Sequence, residues 1–254
     1  MSKRSLAARV LAALAVLAPA ALVPAVLAPA ALVPAVLAPA SAAASADTAR
    51  VNCAKVKCIA LTFDDGPAPV TTARLLDTLR EHRVKATFFL VGERVAEHPA
   101  IVRRMAREGH EIGNHTYRHQ SLPALPDFDV VEELSRTQEA IRGVTGRRPT
   151  LMRPPYGHTD ARVSAVNAEL GLAQILWTGT TLDWSLRDVD AIGDKVLALA
   201  KPNGVILMHD VVPHTVKAMP RILRELRKRG YHLVTVSTLA GTGRLTPGST
   251  FPPR

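Results

Sequence analysis

The sequence predicts an α/β fold that is built on a parallel sheet. Seven short apolar runs of strand length alternate with amphipathic segments that have the length and period of helices. Several helical segments are followed by glycine, the residue that commonly ends a helix. Strands that alternate with helices pair in parallel, either in a closed barrel or in an open sheet covered on both faces. In both arrangements, sites form where the carboxyl ends of the strands meet.

The predicted elements follow one another from residue 58 onwards. Strands are predicted at 58–63, 86–91, 111–114, 151–153, 173–177, 205–208 and 232–236. Helices are predicted at 70–82, 100–107, 130–143, 160–170, 189–200 and 216–229, with glycine stops at Gly109, Gly146, Gly171, Gly204 and Gly230. Gly, Thr, Ser and Pro dominate residues 241–254, which predicts a flexible C-terminal tail.

The composition limits the class of protein. A chain of 254 residues with 47% hydrophobic and 21% charged residues can bury one sizeable core, which excludes a disordered protein. The net charge is +10, but no run reaches five uninterrupted basic residues. A nucleic-acid-binding arm is therefore not expected.

Residues 1–46 have the features of a secretory signal peptide. Basic residues stand near the start, a ten-residue Ala/Leu/Val/Pro unit repeats after them, and Ala44-Ser45-Ala46 offers a cleavage site. A retained membrane or wall-spanning anchor is the alternative, but a proline at every fifth position from Pro19 to Pro39 disfavours a spanning helix. We expect a secreted, extracellular or cell-wall protein. Cleavage would remove three basic residues and leave a net charge of +7.

The only cysteines, Cys53 and Cys58, lie in the segment 47–57 and at the start of the first strand. Export to an oxidising compartment predicts a disulfide that closes a small structural loop. The alternative is a pair of metal ligands, for which the sequence supplies no second cysteine pair.

Two polar clusters at strand ends suggest a cation site. The first strand runs into Asp64 and Asp65, whose adjacent carboxylates would repel each other without a cation or an arginine. The third strand runs into His115 and His119, which can face one cation if they lie on a helical turn. Asp65 with the two histidines makes a three-ligand set with open positions, which is typical of catalytic zinc sites. Each cluster alone could instead be a polar turn.

Three more clusters end later strands. Arg153 precedes two prolines and Tyr156, so its backbone is stiff. Asp183 and Trp184 follow the fifth strand, and His209 ends the sixth. An aspartate that hydrogen-bonds a histidine raises the pKa of that histidine, as a general acid requires. A solvated arginine, a polar strand cap and a rim tryptophan are the alternatives.

Five motifs in this order resemble those of the polysaccharide deacetylases, the NodB-homology proteins of carbohydrate esterase family 4. They read T-F-D-D-G-P at 62–67, H-T-Y-R-H at 115–119, R-P-P-Y-G at 153–157, L-D-W at 182–184 and L-M-H at 207–209. The resemblance covers the segment 58–240, which it identifies as the catalytic domain. It implies a distorted, TIM-barrel-like (β/α) barrel of about seven parallel strands that hydrolyses acetyl groups on sugars with the help of one divalent metal.

The resemblance also implies a role for each matched residue. Asp64 would be the general base, oriented by Arg153, and His209 the general acid, tuned by Asp183. The metal ligands would be Asp65, His115 and His119, the backbone N–H of Tyr156 would stabilise the oxyanion, and Trp184 and Leu207 would line the pocket for the acetyl methyl group. Ligand type favours Zn²⁺, with Co²⁺ or another divalent ion as alternatives.

One position departs from the family pattern. The fourth motif commonly reads D-x-x-D-W, and Thr180 stands here at its first position. The departure affects the groove wall and therefore the choice of substrate.

We expect a monomeric enzyme that removes N-acetyl groups from glycans containing N-acetylglucosamine, such as chitin oligosaccharides or peptidoglycan. An acetyl xylan esterase is the first alternative, and a catalytically silent glycan-binding protein the second. A metallohydrolase using His158, Asp210 or His214 as ligands is the third.

Overall fold

A computed structural model describes residues 51–243 and 245–253. The predicted signal peptide, with its repeat at 1–46, lies outside the described residues. Cys53 and Cys58 form a disulfide, with Cα atoms 5.4 Å apart, immediately before the first strand. Within the described ranges no helix is long and apolar enough to cross a membrane.

The structure contains nine strands and nine helices in the described part of the chain. The strands are β1 Cys58–Asp64, β2 Thr87–Leu90, β3 Glu111–Asn114, β4 Leu151–Met152, β5 Ala173–Ile175, β6 Gly179–Thr180, β7 Gly204–His209, β8 His232–Val234 and β9 Thr250–Phe251. The helices are α1 Thr71–Glu81, α2 Gly92–Glu97, α3 Pro99–Arg107, α4 Asp127–Thr145, α5 Ala161–Glu169, α6 Asp183–Leu186, α7 Val189–Leu199, α8 Pro213–Lys228 and α9 Val236–Ala240.

All nine strands belong to one curled parallel sheet, which confirms the predicted distorted α/β barrel. The strand order is β6-β7-β1-β2-β3-β4-β5-β9, and β8 also pairs with β1. Among the described residues the end strands β6 and β9 do not pair with each other. The seven predicted strands are all present, and β6 and β9 are additions to them.

The prediction of a flexible tail over 241–254 is wrong for its described C-terminal part. Thr250 and Phe251 pair in parallel with Gln174 and Ile175 of β5. The Phe251 side chain is buried and packs in one apolar cluster with Ala173 and Ile175 of β5. The polar composition favoured a free tail, but burial of one aromatic ring and sheet pairing outweigh it.

The core has two sides, which determine where the site lies. Ile59, Leu61 and Phe63 of β1 pack with the surrounding helices, whereas Cys58 and Ala60 face the other way, into the inside of the curled sheet. Because side chains alternate along a strand, the next residues on the inner side are Thr62 and Asp64. The fold therefore directs Asp64 to the inside of the barrel at the carboxyl end of β1.

Candidate active site

The carboxyl ends of β1, β3, β4 and β7 bring the polar clusters together. Asp64 at the end of β1 is in register with His209 at the end of β7. On the other side, Asn114 at the end of β3 is in register with Met152 of β4. The residues that follow these strands therefore lie close together at a single end of the barrel.

Asp65, His115 and His119 form a compact three-ligand set. Oδ1 of Asp65 lies 3.4 Å from Nε2 of His115 and 3.2 Å from Nε2 of His119. One potential ligand atom from each residue lies within 4.8 Å of the other two. The described residues contain no other group of three or more His, Cys, Asp or Glu side chains that could hold a metal ion.

The surroundings of these atoms fit a divalent cation. Burial alone would raise the pKa of Asp65, but the close contacts with His115 and His119 outweigh it and hold this pKa far below its ordinary value. Nδ1 of His115 donates to the carbonyl of Arg153 at 2.7 Å, which leaves the Nε2 lone pair facing the carboxylate. Asp65 Oδ1 is buried and has no hydrogen-bond partner with standard geometry among the described residues. A cation would fill that position.

The two histidines face one another from a loop, and not from the helical turn that the sequence pattern indicated as one way to bring them together. They flank a loop in which Thr116 and His119 have φ values of 63° and 58°. Glu133 stabilises this left-handed backbone, because its carboxylate accepts hydrogen bonds from the N–H groups of Tyr117 and Arg118, both at 2.8 Å. The loop therefore holds both imidazoles on the same side as Asp65.

Sequence reasoning missed the residues that support this loop. Glu133 is buried on α4, and Asn114 is buried at the end of β3. Asn114 accepts the N–H of Thr116 at 2.8 Å and donates to the Leu134 carbonyl at 2.8 Å. The available signal was an acidic residue, Glu133, within the apolar stripe of a predicted amphipathic helix.

Asp64 is oriented by a fully buried arginine. Nη1 of Arg153 donates to Oδ1 of Asp64 and to the Thr62 hydroxyl, both at 2.8 Å. Its other nitrogens donate to the carbonyls of Ile175 and Leu176 at 3.0 Å. Burial lowers the pKa of Arg153, and the charge of Asp64 opposes this effect. Asp64 Oδ2 remains directed towards the cation site, 3.8 Å from Nε2 of His115.

His209, at the end of β7, is held by Asp183. Nδ1 of His209 lies 2.8 Å from Oδ1 of Asp183, which also accepts a bond from Thr215 through Oδ2. Burial would lower the pKa of His209, but the hydrogen bond and charge of Asp183 raise it to about 9. Burial alone would raise the pKa of Asp183, but the hydrogen bond and charge of His209 hold this pKa below its ordinary value.

Tyr156, Trp184 and Leu207, which the family resemblance assigns to the oxyanion and the acetyl pocket, differ in their exposure. The Tyr156 ring is 62% exposed and packs edge-on against His119, with ring centres 4.9 Å apart. Trp184 is 58% exposed, whereas Leu207 is buried. Thr180 of β6 is in register with Leu207 of β7.

The three spare ligand candidates do not belong to the group formed by Asp65, His115 and His119. His158 packs beside Tyr156 and bonds Ser121, and His214 belongs to α8. Asp210 is fully buried and accepts a hydrogen bond from the Thr72 hydroxyl. Burial, followed by the nearby carboxylates of Asp65 and Asp64, raises the pKa of Asp210 to about 7.

Several known proteins are similar to this chain in sequence and in fold. The family model described as polysaccharide deacetylase matches residues 51–175. The peptidoglycan-N-acetylglucosamine deacetylase PgdA of Listeria monocytogenes is 41% identical over 183 residues, which is 72% of this chain and 39% of that protein. A chitooligosaccharide deacetylase of Bradyrhizobium is 38% identical over 190 residues, covering 69% of this chain and 87% of that protein.

A solved structure, "T48 deacetylase with substrate", superimposes with a TM-score of 0.76 and 40% sequence identity. The match covers 79% of this chain and 99% of that one. The chain spans about two fifths of the length of the Listeria relative and most of the Bradyrhizobium relative. The shared sequence, the common fold and the family match over the first half of the barrel lead to one conclusion: the chain belongs to the polysaccharide deacetylase family, the NodB-homology proteins of carbohydrate esterase family 4.

Proposed function

We propose that the protein is a secreted, metal-dependent deacetylase that hydrolyses the N-acetyl groups of N-acetylglucosamine in peptidoglycan or chitin oligosaccharides. One observation carries the proposal. A buried carboxylate, Asp64, and a histidine with a raised pKa, His209, lie in register on adjacent strands beside a three-ligand cation set. This arrangement supports the assignment of Asp64 as the base and His209 as the acid, the two groups that amide hydrolysis requires.

The cation site supports the choice of a divalent metal, and Zn²⁺ suits two imidazoles and one carboxylate best. Asp65, His115 and His119 would hold the ion. When bound, it would supply Lewis acidity to the acetyl carbonyl and to the attacking water.

Asp64 would accept the proton of the attacking water. Its Oδ1 is fixed by Arg153, so Oδ2 is the oxygen left to act as the base. Because Arg153 is itself bonded to two backbone carbonyls, it cannot follow the carboxylate and holds it in one orientation. The backbone N–H of Tyr156 would donate to the oxyanion, and the proline-flanked loop keeps that peptide rigid.

His209 would donate a proton to the departing amine. Its Nδ1 is bonded to Asp183, so Nε2 would carry the transferred proton. A pKa near 9 keeps the ring protonated at neutral pH, which an acid for a poor leaving group needs. Trp184 and Leu207 would bound the acetyl methyl group.

The experiment is acetate release by residues 47–254, loaded with Zn²⁺, from a chitin oligosaccharide, peptidoglycan and acetylated xylan in parallel. We expect release from an N-acetylated substrate that stops with a chelator, in His115→Ala and in Asp64→Asn. Release only from xylan would retain the chemistry and identify an acetyl xylan esterase. Turnover that is unchanged in Asp64→Asn would overturn the assignment of the base, and silence on all three substrates would favour a glycan-binding protein.

A further inference from the structure

A short segment after β2 lies between the two loops that carry the proposed cation ligands. One loop follows β1 and contains Asp65, and the other follows β3 and contains His115 and His119. Residues 91–94, which begin helix α2, contact both loops and have no role in the proposed chemistry. We call residues 91–94 the bracket.

The backbone of the bracket donates to both loops. Its three hydrogen bonds run from Val91 N–H to the Gly66 carbonyl at 3.1 Å, from Gly92 N–H to the Thr116 carbonyl at 3.0 Å, and from Glu93 N–H to the Tyr117 carbonyl at 3.2 Å. The first bond fixes the loop of the carboxylate ligand, and the other two fix the loop of the histidines. Since consecutive residues of one helix start make these bonds, a movement of either loop must be followed by the other or must break a bond.

A side chain of the bracket adds a fourth bond. Nη1 of Arg94 donates to the backbone carbonyl of Asp65 at 2.9 Å. Asp65 has a φ of 74°, a left-handed conformation that costs a non-glycine residue free energy and therefore needs support. Arg94 forms no ion pair in the described part of the chain, so this bond is what its charged group contributes there.

Gly92 allows the bracket to approach the histidine loop closely. A Cβ atom on Gly92 would lie 2.4 Å from the Tyr117 ring and 2.6 Å from the Thr137 hydroxyl. Both contacts are far below van der Waals distance, and Thr137 lies on the long helix α4. An alanine at this position would therefore push against Tyr117, two residues before the ligand His119.

We propose that Gly92 and Arg94 are positioning residues, which set the distance between Asp65 and the two histidines and so set the affinity of the site for its divalent cation. The inference rests on the proposed cation site and is independent of the substrate. Residues that orient metal ligands typically change metal affinity about 10–100-fold when they are replaced.

Zn²⁺ affinity of the metal-free protein tests the inference, measured by competition with a chromophoric chelator. Arg94→Met keeps the aliphatic stem and removes the donor, and we expect Zn²⁺ to bind about 10–100-fold more weakly. Gly92→Ala is expected to weaken binding in the same direction. Arg94→Lys, which keeps a donor, is expected to restore part of the loss. The d–d absorption of bound Co²⁺ should also change in Arg94→Met, because the ligand geometry changes.

Arg229→Met is the matched control. Arg229 donates to a backbone carbonyl in the same way, through Nη1 to Leu197 at 2.7 Å, but joins the ends of α7 and α8 away from the ligand loops. Its loss should leave Zn²⁺ affinity unchanged.

The outcomes separate this inference from the cation site itself. If His115→Ala abolishes Zn²⁺ binding while Arg94→Met and Gly92→Ala bind as tightly as the wild type, the bracket has no positioning role. If His115→Ala still binds normally, the cation site is wrong and the bracket inference falls with it. The two bracket variants test the inference independently, so a folding failure in one leaves the other decisive.

Discussion

Asp183 contacts His209 through both of its carboxylate oxygens. Oδ1 bonds Nδ1 of the ring at 2.8 Å, and Oδ2 accepts the backbone N–H of the same residue at 2.8 Å. One buried aspartate therefore fixes the position of the His209 backbone and the orientation and charge of its ring together. This double contact gives the ring the fixed orientation that the proposed proton donor would need.

Replacing the aspartate should move the titration of the histidine. In Asp183→Asn we expect the pKa of His209 to fall from about 9 towards 6.5, and acetate release to fall at least 10-fold. The pKa would be followed by NMR of the ring protons in the metal-free protein. Thr215→Val, which removes only a hydrogen bond to Asp183, should lower the pKa less. An unchanged pKa in Asp183→Asn would remove the basis for the proposed acid.

The same pair should make stability depend on pH in one direction. Because the pKa of His209 is raised in the folded state, its stabilisation is complete below about pH 6.5 and is lost as the pH rises through about 9. The difference in the free energy of unfolding between wild type and Asp183→Asn should therefore shrink over that range. Urea unfolding in a chelator at pH 6 and pH 9.5 measures it, and a constant difference would contradict the expected linkage.

Loss of Arg153 should be costly, because it leaves Asp64 buried and unpaired. We expect Arg153→Met to lower the free energy of unfolding by about 3–5 kcal/mol. The double variant Arg153→Met/Asp64→Asn should recover part of this loss, since no charge is then stranded. Arg80→Met, which breaks an exposed pair with Asp77, should cost about 1 kcal/mol or less. Equal losses in the single and double variants would show that burial of the Asp64 charge is not the cause.

Asp210 should destabilise the metal-free protein at alkaline pH. Its Oδ1 is buried without a partner among the described residues, and its pKa is raised to about 7. Between about pH 4 and 7 the folded state then binds more protons than the unfolded state, so stability falls as the pH rises. Asp210→Asn keeps an oxygen for Thr72 and has no charge to bury. We expect it to exceed wild type by about 1–3 kcal/mol at pH 8 and to approach it near pH 4. A difference in the free energy of unfolding between the two proteins that is the same at pH 8 and near pH 4 would contradict this.

Trp184 should serve substrate binding with little effect on stability. More than half of its side chain is exposed, so Trp184→Ala should change the free energy of unfolding by about 0.5 kcal/mol or less. We expect KM for an acetylated oligosaccharide to rise more than kcat falls. Val56→Ala, a partly exposed apolar residue before β1, is the control and should change neither constant. An unaltered KM in Trp184→Ala would exclude the ring from the binding surface.

The sequence was sufficient for elements whose side chains are patterned and insufficient for those formed by tertiary pairing. β1 and β7 are continuous apolar runs, and both were predicted to within a residue at each end. β6 and β9 have two residues each, too few to show any period, and exist because neighbouring strands accept their hydrogen bonds. The same limit explains the wrong prediction for the tail.

For the site, residue types could be predicted and backbone conformations could not. The motifs identified Asp65 and His119, but nothing in their spacing indicated that both have positive φ. Glu133, which supports the histidine loop, lies 14 residues beyond His119. Its position on the apolar face of a predicted helix was the one sequence signal for that role. Hydrogen bonds from a distant helix, such as those of Glu133 on α4 to the histidine loop, can be identified only in the folded structure.

The placement of β1 has a consequence for how the chain folds. β1 pairs with β2 soon after it in the sequence, but its other neighbours, β7 and β8, arrive much later, and the Thr62 hydroxyl bonds a carbonyl 144 residues away. Such long-range pairing raises the contact order and slows folding. One edge of β1, the strand that carries Asp64, therefore stays unpaired until the last third of the polypeptide is present and β7 and β8 can pair with it. A chain that ends before β7 would leave this edge of β1 unpaired and open to proteases, and it would lack His209, the residue in register with Asp64.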